Sequence, residues 1–416
     1  MGGNLWFRDR LLAQIAKLRD CELVFHDALG ETRVGVPAAV PADTLRVNVR
    51  VLDPEFYRIL ALGGSVGAGE AFRDGLWTCD DLVALVRVFV RNRDNLDAME
   101  TGLARVGGAM LRAYHSLRRN SRLGARRNIA EHYDLGNKLF RLFLDDNLMY
   151  SSAVYADPAE SLEIASRRKL ERICTKLDLK PGSRVVEIGS GWGGFALHAA
   201  KHHDVHITTT TISQEQFDLA VTRVREAGLG DRVNVVMHDF RDLTGSYDRL
   251  VSIEMVEAIG AKLLDPYFAK IAELLSHDGL ALVQAITIED HRYQQALESV
   301  DFIKRHVFPG CFIPSISAML ASLARASNLR LTHLEDIGPS YALTLAEWRR
   351  RFNASLDEVR ALGYSENFVR LWNYYLAYCE GGFRERSIGD VQMLFAKPGN
   401  RRPQYLPDLG AAACIS

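Results

Sequence analysis

The chain has 416 residues, of which 48% are hydrophobic and 25% are charged, and its formal net charge is -1. This length allows two domains with sizeable cores, and the composition is that of an ordinary globular protein. A net charge so close to zero gives no electrostatic reason to expect a nucleic-acid partner. The six cysteines lack the paired spacing of a metal site, so free thiols and no bound metal are predicted.

The sequence also bears on membrane contact. No apolar run reaches the roughly 18 residues that are needed to span a bilayer. The first 20 residues carry charges every few positions and lack the apolar centre of a signal peptide. The chain is therefore expected in the cytoplasm, with any membrane contact peripheral.

Residues 1–110 are predicted to form a small α+β domain that opens with an amphipathic helix. The segment 23–36 predicts a hairpin, because the turn ALGE separates two apolar alternations. The segment 44–53 alternates as a strand does. Helices are predicted at 54–64 and 81–94, with a glycine-rich stretch between them.

Residues 111–129 are predicted to be a basic linker. Between 112 and 127 the chain carries six arginines and no acid. A solvated helix is the ordinary explanation of such a run. The same cations could dock onto anionic lipid headgroups, where each contributes roughly 1 kcal/mol.

From 130 to 397 the chain alternates apolar strands with helices, and 398–416 is predicted to be a loose tail. This alternation predicts a mostly parallel sheet that is covered by helices on both faces. The predicted strands are 184–190, 206–212, 233–239 and 280–288, with a further strand that runs into a loop over 247–260. The predicted helices are 193–203, 213–228 and 267–279.

A glycine-rich loop follows the first of these strands. Gly189, Gly191 and Gly193 lie in the run EIGSGWGG, between a predicted strand and a predicted helix. Glycine lets the backbone turn sharply and approach a ligand where a Cβ would intrude, and the helix offers free N–H groups. Because dinucleotide-binding loops share this pattern, the loop alone leaves the kind of nucleotide open.

An acidic turn after the third strand favours S-adenosylmethionine (SAM) over a dinucleotide. In the segment 238–242, Asp239 can accept a hydrogen bond from the adenine amine and Phe240 can stack on the ring. The same segment could be only a capped turn. A nicotinamide dehydrogenase is disfavoured because TTTIS replaces the acid that it would carry after the second strand.

Further motifs resemble one family, the cyclopropane-fatty-acyl-phospholipid synthases, which include the mycolic acid cyclopropane synthases. The upstream run GGSVGAGEAFRDGLW resembles the N-terminal domain of the full-length bacterial synthases. From about 128 to 397 the motifs are NIAEHYDLGNKLFRLFLDDNLMYSSAVY, VVEIGSGWGG, TTTISQEQ, HDFRDL, EMVEAIG and SVDFIKRHVFPGCFIPS. The resemblance implies a Rossmann-like class I methyltransferase domain, a substrate in the phospholipid membrane and a homodimer.

Carried over position by position, the resemblance implies a set of SAM contacts and a lid. The segments 132–137 and 140–146 would form the lid between cofactor and lipid, and ordinary core is the alternative for their aromatic side chains. The implied contacts are Tyr133, Gly189 and Gly191 with the methionine part, Thr211 and Gln216 with the ribose, and Asp239 and Phe240 with the adenine.

The chemistry that the resemblance implies requires a base. Methyl transfer to a cis double bond of an acyl chain leaves a carbocation, and loss of a methyl proton then closes a cyclopropane ring. The base of the family is a bound bicarbonate, held by a Cys, a Glu, a His, an Ile backbone and a Tyr. The matching positions in this chain are Ser152, Glu257, Gln284, Ile286 and Tyr341.

Two of these positions depart from the family pattern. Ser152 replaces Cys and Gln284 replaces His, and both can hydrogen-bond a carbonate oxygen, although Gln cannot become charged. The departure bears on ring closure more than on methyl transfer. A carbocation that loses a neighbouring proton or takes up a hydride would give a methylene or methyl-branched chain. Glu257 could also be only a helix-capping acid.

Two other classes share parts of the pattern. Some N-methyltransferases of soluble amines resemble this family, but the basic segment and the lipid-type N-terminal domain argue against them. A non-catalytic lipid-binding protein with a relic nucleotide fold is disfavoured because Thr211, Gln216, Asp239, Glu257 and Tyr341 are all retained. The sequence therefore predicts a SAM-dependent C-methyltransferase that works at a phospholipid membrane.

Overall fold

The computed structural model of the protein describes residues 2–94, residue 96 and residues 136–403. The predicted linker at 111–129 lies outside these residues, as do Tyr133 and most of the predicted tail. The boundary predicted near residue 110 also lies outside them, so the predicted domain division stays a prediction.

The N-terminal part contains a four-stranded sheet in the order β2-β1-β3-β4. The strands are β1 (Cys21–Asp27), β2 (Gly30–Val34), β3 (Leu45–Val51) and β4 (Trp77–Cys79). Strands β1 and β2 pair antiparallel, with Asp27 opposite Gly30, as the hairpin prediction requires. The predicted strand at 44–53 is β3, which runs parallel to β1.

Three helices accompany this sheet: α1 (Gly2–Ile15), α2 (Glu55–Arg73) and α3 (Leu82–Arg91). The prediction ended the second helix at 64, but α2 continues for two further turns past a break at Gly64 (φ 55°, ψ -138°). The glycines after Gly64 lie within the helix, where they allow close packing, and do not form a loop. A Cβ on Gly69 would lie 2.3 Å from the Phe302 ring, so only glycine fits the helix against it.

The second part contains a seven-stranded sheet in the order β10-β11-β9-β8-β5-β6-β7. Strand β11 runs antiparallel to both of its neighbours, and the central strands from β9 to β7 are parallel. The strands are β5 (Arg184–Ile188), β6 (His206–Thr210), β7 (Val233–Val236), β8 (Tyr247–Ile253), β9 (Leu275–Ile288), β10 (Arg330–Asp336) and β11 (Ile388–Ala396).

Helices flank this sheet, which confirms the predicted α/β fold class. The helices are α4 (Asn137–Arg141), α5 (Leu162–Lys176), α6 (Gly194–His203), α7 (Gln214–Glu226), α8 (Val256–Ile259), α9 (Leu264–Leu274), α10 (Tyr293–Glu298), α11 (Phe302–His306), α12 (Ile316–Ala326), α13 (Gly338–Ala354), α14 (Leu356–Ala361) and α15 (Glu366–Arg384). The crossover helices α6 and α7 begin where the sequence predicts them.

The two parts share one hydrophobic core, because α15 packs on both α2 and α3. At the edge of this contact Glu385 accepts hydrogen bonds from Arg87 at 2.6 Å and from Arg91 at 2.9 Å. Within the described ranges, no helix is both long and apolar enough to cross a membrane.

Candidate active site

A cavity of about 350 Å³ opens at the carboxyl ends of the parallel strands, where ligands bind in open α/β sheets. The loops after β5, β6, β7 and β8 and the end of β9 all contribute to its wall. Its lining includes most of the predicted site residues, namely Gly189, Gly191, Thr211, Gln216, Asp239, Phe240, Glu257, Ile286 and Tyr341. The sheet therefore brings together residues that are up to 152 positions apart in the sequence, from Gly189 to Tyr341.

The glycine loop passes under this cavity in a left-handed conformation. The φ angles of Gly189 and Gly191 are 94° and 49°, a region that favours glycine. A Cβ on Gly189 would lie 2.5 Å from the Met255 side chain. A Cβ on Gly191 would meet no described atom within 4 Å, so the space above it is open to a ligand.

The loop after β6 carries a pair of buried polar side chains. Thr211 donates its hydroxyl hydrogen to Oε1 of Gln216 at 2.8 Å. Ser213 caps helix α7, since its hydroxyl accepts from the Gln216 backbone N–H at 3.3 Å. The cap and the pair fix both side chains in the cavity wall, beside the glycine loop.

The acidic turn after β7 is a capped 3-10 turn, and it also lines the cavity. The Asp239 carboxylate accepts two hydrogen bonds from the Arg241 guanidinium, both at 2.7 Å. Phe240 is buried and packs edge-on against Tyr267, with ring centroids 5.8 Å apart. The segment is therefore a capped turn, as the alternative interpretation proposed. Asp239 and Phe240, the two predicted adenine contacts, nevertheless lie in the cavity wall.

The predicted lid lies partly outside the residues that the structure describes, because these do not include 132–135. Tyr133 is one of the residues outside the described ranges. The described part corrects the prediction for 140–146. Phe140 and Phe143 are fully buried, and Phe140 packs against Trp192 with centroids 4.9 Å apart. These rings belong to the core, which was the alternative, and it is Leu148 and Tyr150 just beyond them that line the cavity.

A carboxylate that the sequence analysis missed lies at the centre of the predicted base site. Glu254 follows β8, and its Oε1 accepts from the Ser152 backbone N–H and from Gln284 Nε2, each at 2.8 Å. Its Oε2 accepts from the Tyr341 hydroxyl, also at 2.8 Å. Glu254 lines the cavity, so its carboxylate lies where the prediction put a small anion.

Ser152 and Gln284 are fully buried behind Glu254 and do not reach the cavity within the described structure. The role of the Ser152 side chain in binding an anion therefore stays a prediction. The Ser152 hydroxyl donates to the Ala153 carbonyl at 2.9 Å, and the backbone N–H of Ser152 is the donor to the carboxylate.

Glu257 lies on the same wall, one turn further along the chain. Its Oε1 accepts from the Ile286 backbone N–H at 2.5 Å. Its Oε2 is buried and has no hydrogen-bond partner among the described residues. A buried oxygen in a cavity wall that lacks a partner can accept a hydrogen bond from a bound ligand.

Burial disfavours the ionised forms of the acids in this wall. Desolvation raises the pKa of Glu257 to about 8, and the nearby charge of Glu254 adds to the shift. Burial also raises the pKa of Glu254. The pKa of the neighbouring Asp390 is raised well above its usual range by burial and by the charge of Glu254. Lys169, which is fully buried, is the nearby cation.

A buried polar chain fixes the orientation of Gln284. Its Nε2 also donates to Asp390 at 3.0 Å, and its Oε1 accepts from Gln392 at 3.0 Å. Gln392 in turn accepts from Lys176 Nζ at 2.6 Å. Gln284 therefore presents its amide hydrogens to the carboxylates.

A second polar cluster lies between α5 and α6, away from the cavity. Cys174, His198 and His203 bring one possible ligand atom each within 4.8 Å of one another. Both imidazoles contact the Glu171 carboxylate, at 3.2 and 3.0 Å. This carboxylate gives the histidines a partner without an ion, and the prediction of no metal site stays a prediction.

Glu254 carried a signal that the sequence analysis passed over. It stands three residues before Glu257, directly after an apolar strand, where a parallel sheet presents its functional side chains. Lys169 and Asp390 gave no such signal, because one lies within a helix and the other within a strand whose neighbours are apolar.

Fold and site together define a class I SAM-dependent methyltransferase. The family described as mycolic acid cyclopropane synthetase matches residues 120–393, and this chain belongs to it. A cyclopropane synthase from Mycobacterium tuberculosis superposes with a TM-score of 0.61 and 28% identity, over 65% of this chain and 98% of that one. A mycolic acid cyclopropane synthase solved with SAH and CTAB gives the same values.

Two curated relatives match almost the whole chain. A tuberculostearic acid methyltransferase of Mycobacterium tuberculosis is 35% identical over 399 residues, which cover 94% of this chain and 91% of the relative. The cyclopropane-fatty-acyl-phospholipid synthase of Escherichia coli K12 is 35% identical over 376 residues, which cover 90% of this chain and 93% of the relative.

Proposed function

We propose that the protein transfers the methyl group of SAM to the cis double bond of an unsaturated phospholipid acyl chain and closes a cyclopropane ring. The observation that carries the proposal is the order of the strands at the cavity. The glycine loop, Thr211 and Asp239 follow β5, β6 and β7, while Ile286 and Ile288 lie at the end of β9 on the other side. Glu254 follows β8, between the two groups.

The polar half of the cavity fits SAM. Space above Gly191 is open, and the Thr211–Gln216 pair and the Asp239 carboxylate supply polar groups for the ribose and the adenine. SAM supplies an electrophilic methyl group on a sulfonium. Glu254 and Glu257 both line this cavity, so acids are present beside the space in which the methyl group would be transferred.

The other half of the cavity fits an acyl chain. Its wall is formed by aliphatic and aromatic side chains from the end of β9, from α11 and from the segment after α11, and such a surface excludes water. A dry wall suits a carbocation, because water would otherwise capture it. The residues of this wall are Ile286, Ile288, Ile303, Phe308, Phe312 and Ile313.

The proposed reaction needs a proton acceptor beside the methyl group. Methyl transfer makes a new carbon–carbon bond and leaves a cation on the neighbouring carbon of the chain. Loss of a proton from the new methyl group then gives the electron pair that closes the ring. Bicarbonate stays a prediction from the resemblance, and Glu254 competes with it for the same donors.

A methylene or methyl-branched product is the second candidate. The substitution of the charge-capable His by Gln284 and the presence of Glu254 change the field in which the carbocation forms. The tuberculostearic acid methyltransferase relative adds weight to this candidate, since it is as similar to this chain as the cyclopropane synthase is.

The surroundings of the reaction are also proposed. We infer peripheral binding to a phospholipid membrane through the arginines between 112 and 127, and a homodimer in which two such segments engage one bilayer.

The test is lipid mass spectrometry after expression of the gene in a host that lacks modified fatty acids. The proposal predicts a new acyl chain that is heavier by one CH₂ and that resists derivatisation of double bonds. A chain of the same mass that retains a reactive double bond would support the methylene product instead. An unchanged lipid profile, with the folded protein present, would contradict both candidates.

A further inference from the structure

We propose that Glu254 is the base that removes the proton from the transferred methyl group, in the place that a bound bicarbonate would take. The inference rests on the proposed function, because it assigns a residue to the proton-removal step. A carboxylate and bicarbonate both present a negatively charged pair of oxygens on one carbon. The Glu254 side chain can therefore accept the proton that bicarbonate would otherwise accept.

Three of the positions that were predicted to hold the anion donate hydrogen bonds to Glu254. The Ser152 N–H, the Gln284 amide and the Tyr341 hydroxyl all donate to its two oxygens at 2.8 Å. These are three of the five positions that the family resemblance assigns to bicarbonate. A second anion would need the same donors and would lie against a like charge, which disfavours it.

The backbone of Glu254 shows that its position is held at a cost. Its φ is 48°, in the left-handed region that residues with a Cβ seldom adopt. The side chain is also an acid in a largely dehydrated wall. Two unfavourable features at one cavity residue are typical of a functional position, where the surrounding structure holds the strain.

The replacement of a histidine by Gln284 fits this role. Glu254 brings its own negative charge, so a neutral donor is sufficient behind it, and the Gln392–Lys176 chain fixes that donor. Lys169 lies in the same buried cluster and supplies a compensating positive charge. Burial raises the pKa of Glu254, which makes the carboxylate a stronger base than an exposed one.

The proposed step balances without a further reagent. A C–H bond of the new methyl group breaks, its proton passes to a Glu254 oxygen, and its electron pair forms the second ring bond to the cationic carbon. The same proton transfer after a hydride shift would give the methylene product. The protonated Glu254 returns its proton to water when the product leaves.

Two variants separate the side chain from an added anion. Glu254→Gly empties the carboxylate position and suits the left-handed backbone, so it opens a place for bicarbonate. Glu254→Gln fills the position with a neutral group of the same shape. Each full-length protein is assayed with SAM and vesicles of unsaturated phospholipid, in buffer depleted of bicarbonate and in buffer supplemented with it. SAM affinity is measured by calorimetry in parallel.

We expect the wild type to form product at the same rate in both buffers. Both variants should lose roughly 10²–10⁴-fold in rate while they keep their SAM affinity. Added bicarbonate should raise the rate of Glu254→Gly and leave Glu254→Gln unchanged. A wild type that requires bicarbonate, or a Glu254→Gln protein at the wild-type rate, would overturn the inference. A wild type that binds SAM but methylates no lipid in either buffer would overturn the proposed function, and the inference with it.

Discussion

Tyr341 donates its hydroxyl hydrogen to Glu254 across 2.8 Å, and this bond joins helix α13 to the loop after β8. The Tyr341 ring is held independently, because it stacks on Phe383 with centroids 4.4 Å apart. The phenol is therefore fixed by packing before it meets the carboxylate. A fixed phenol restricts the rotation of the Glu254 side chain and keeps its carboxylate in the cavity wall.

Tyr341→Phe tests this bond. The ring stack should persist, while the loss of a hydrogen bond to a charged group should cost roughly 1.5–3 kcal/mol, or about ten- to hundredfold in turnover if it acts in the transition state. Turnover and SAM affinity are measured separately, and affinity should not change. Tyr247→Phe is the control, since its hydroxyl binds the Thr244 carbonyl outside the cavity. Equal losses in both variants would contradict a role at the base.

Gly191→Val tests the nucleoside site. The Cβ would enter open space above the loop, so we expect a folded protein that no longer binds SAM. Gly228→Val is a matched control, because Gly228 also has a positive φ (67°) and open space around its Cβ, at the end of α7. Both variants should lose about 1–2 kcal/mol of stability from the left-handed backbone. Calorimetry that shows full SAM affinity in folded Gly191→Val would refute the site.

Glu257 should make stability depend on pH. Its folded pKa is raised from 4.5 to about 8, so the folded state favours the neutral acid. The stabilisation is complete below about pH 4.5 and declines as pH rises towards 8. The melting temperature of the wild type should fall over this window, and Glu257→Gln should reduce the fall while keeping an acceptor for the Ile286 N–H.

Glu358→Gln, which removes an exposed acid, is the control for that experiment. It should leave the pH dependence of the wild type unchanged. The assignment of a raised pKa to Glu257 would be wrong if the two variants gave parallel melting curves at every pH.

The basic segment should make membrane binding sensitive to salt. Replacing the six arginines between 112 and 127 by Ser should weaken binding to anionic vesicles, as each contributes roughly 1 kcal/mol at low salt. Sedimentation with vesicles at two salt concentrations measures this. A variant in which the exposed Arg350 and Arg360 become Ser is the control for a general loss of charge. Salt-insensitive binding would show that the segment is a plain linker.

Much of this structure could be predicted because it depends on local patterns. The order of strands and helices from 184 to 288 follows from periodicity, and the glycine loop follows from its own backbone requirements. The length of α2 could not be predicted, because Gly69 serves a contact with Phe302 that lies far away in the sequence.

The group that occupies the base site could not be predicted from local sequence patterns either. The positions Ser152, Gln284 and Tyr341 were predicted to lie together, and they do, but around a carboxylate of the chain itself. Which group fills a buried space depends on side-chain packing across β8, β9 and α13. The burial of Phe140 and Phe143, predicted as a lid, has the same origin.

The most direct test of the account uses SAM that carries a CD₃ methyl group, with purified protein and vesicles of cis-unsaturated phospholipid. Removal of a proton from the transferred methyl group leaves two of its three deuterium atoms in the lipid. The account predicts a product with two deuterium atoms and no remaining double bond. A product that retains all three deuterium atoms would contradict proton removal, and SAM binding without any labelled lipid would contradict lipid methylation itself.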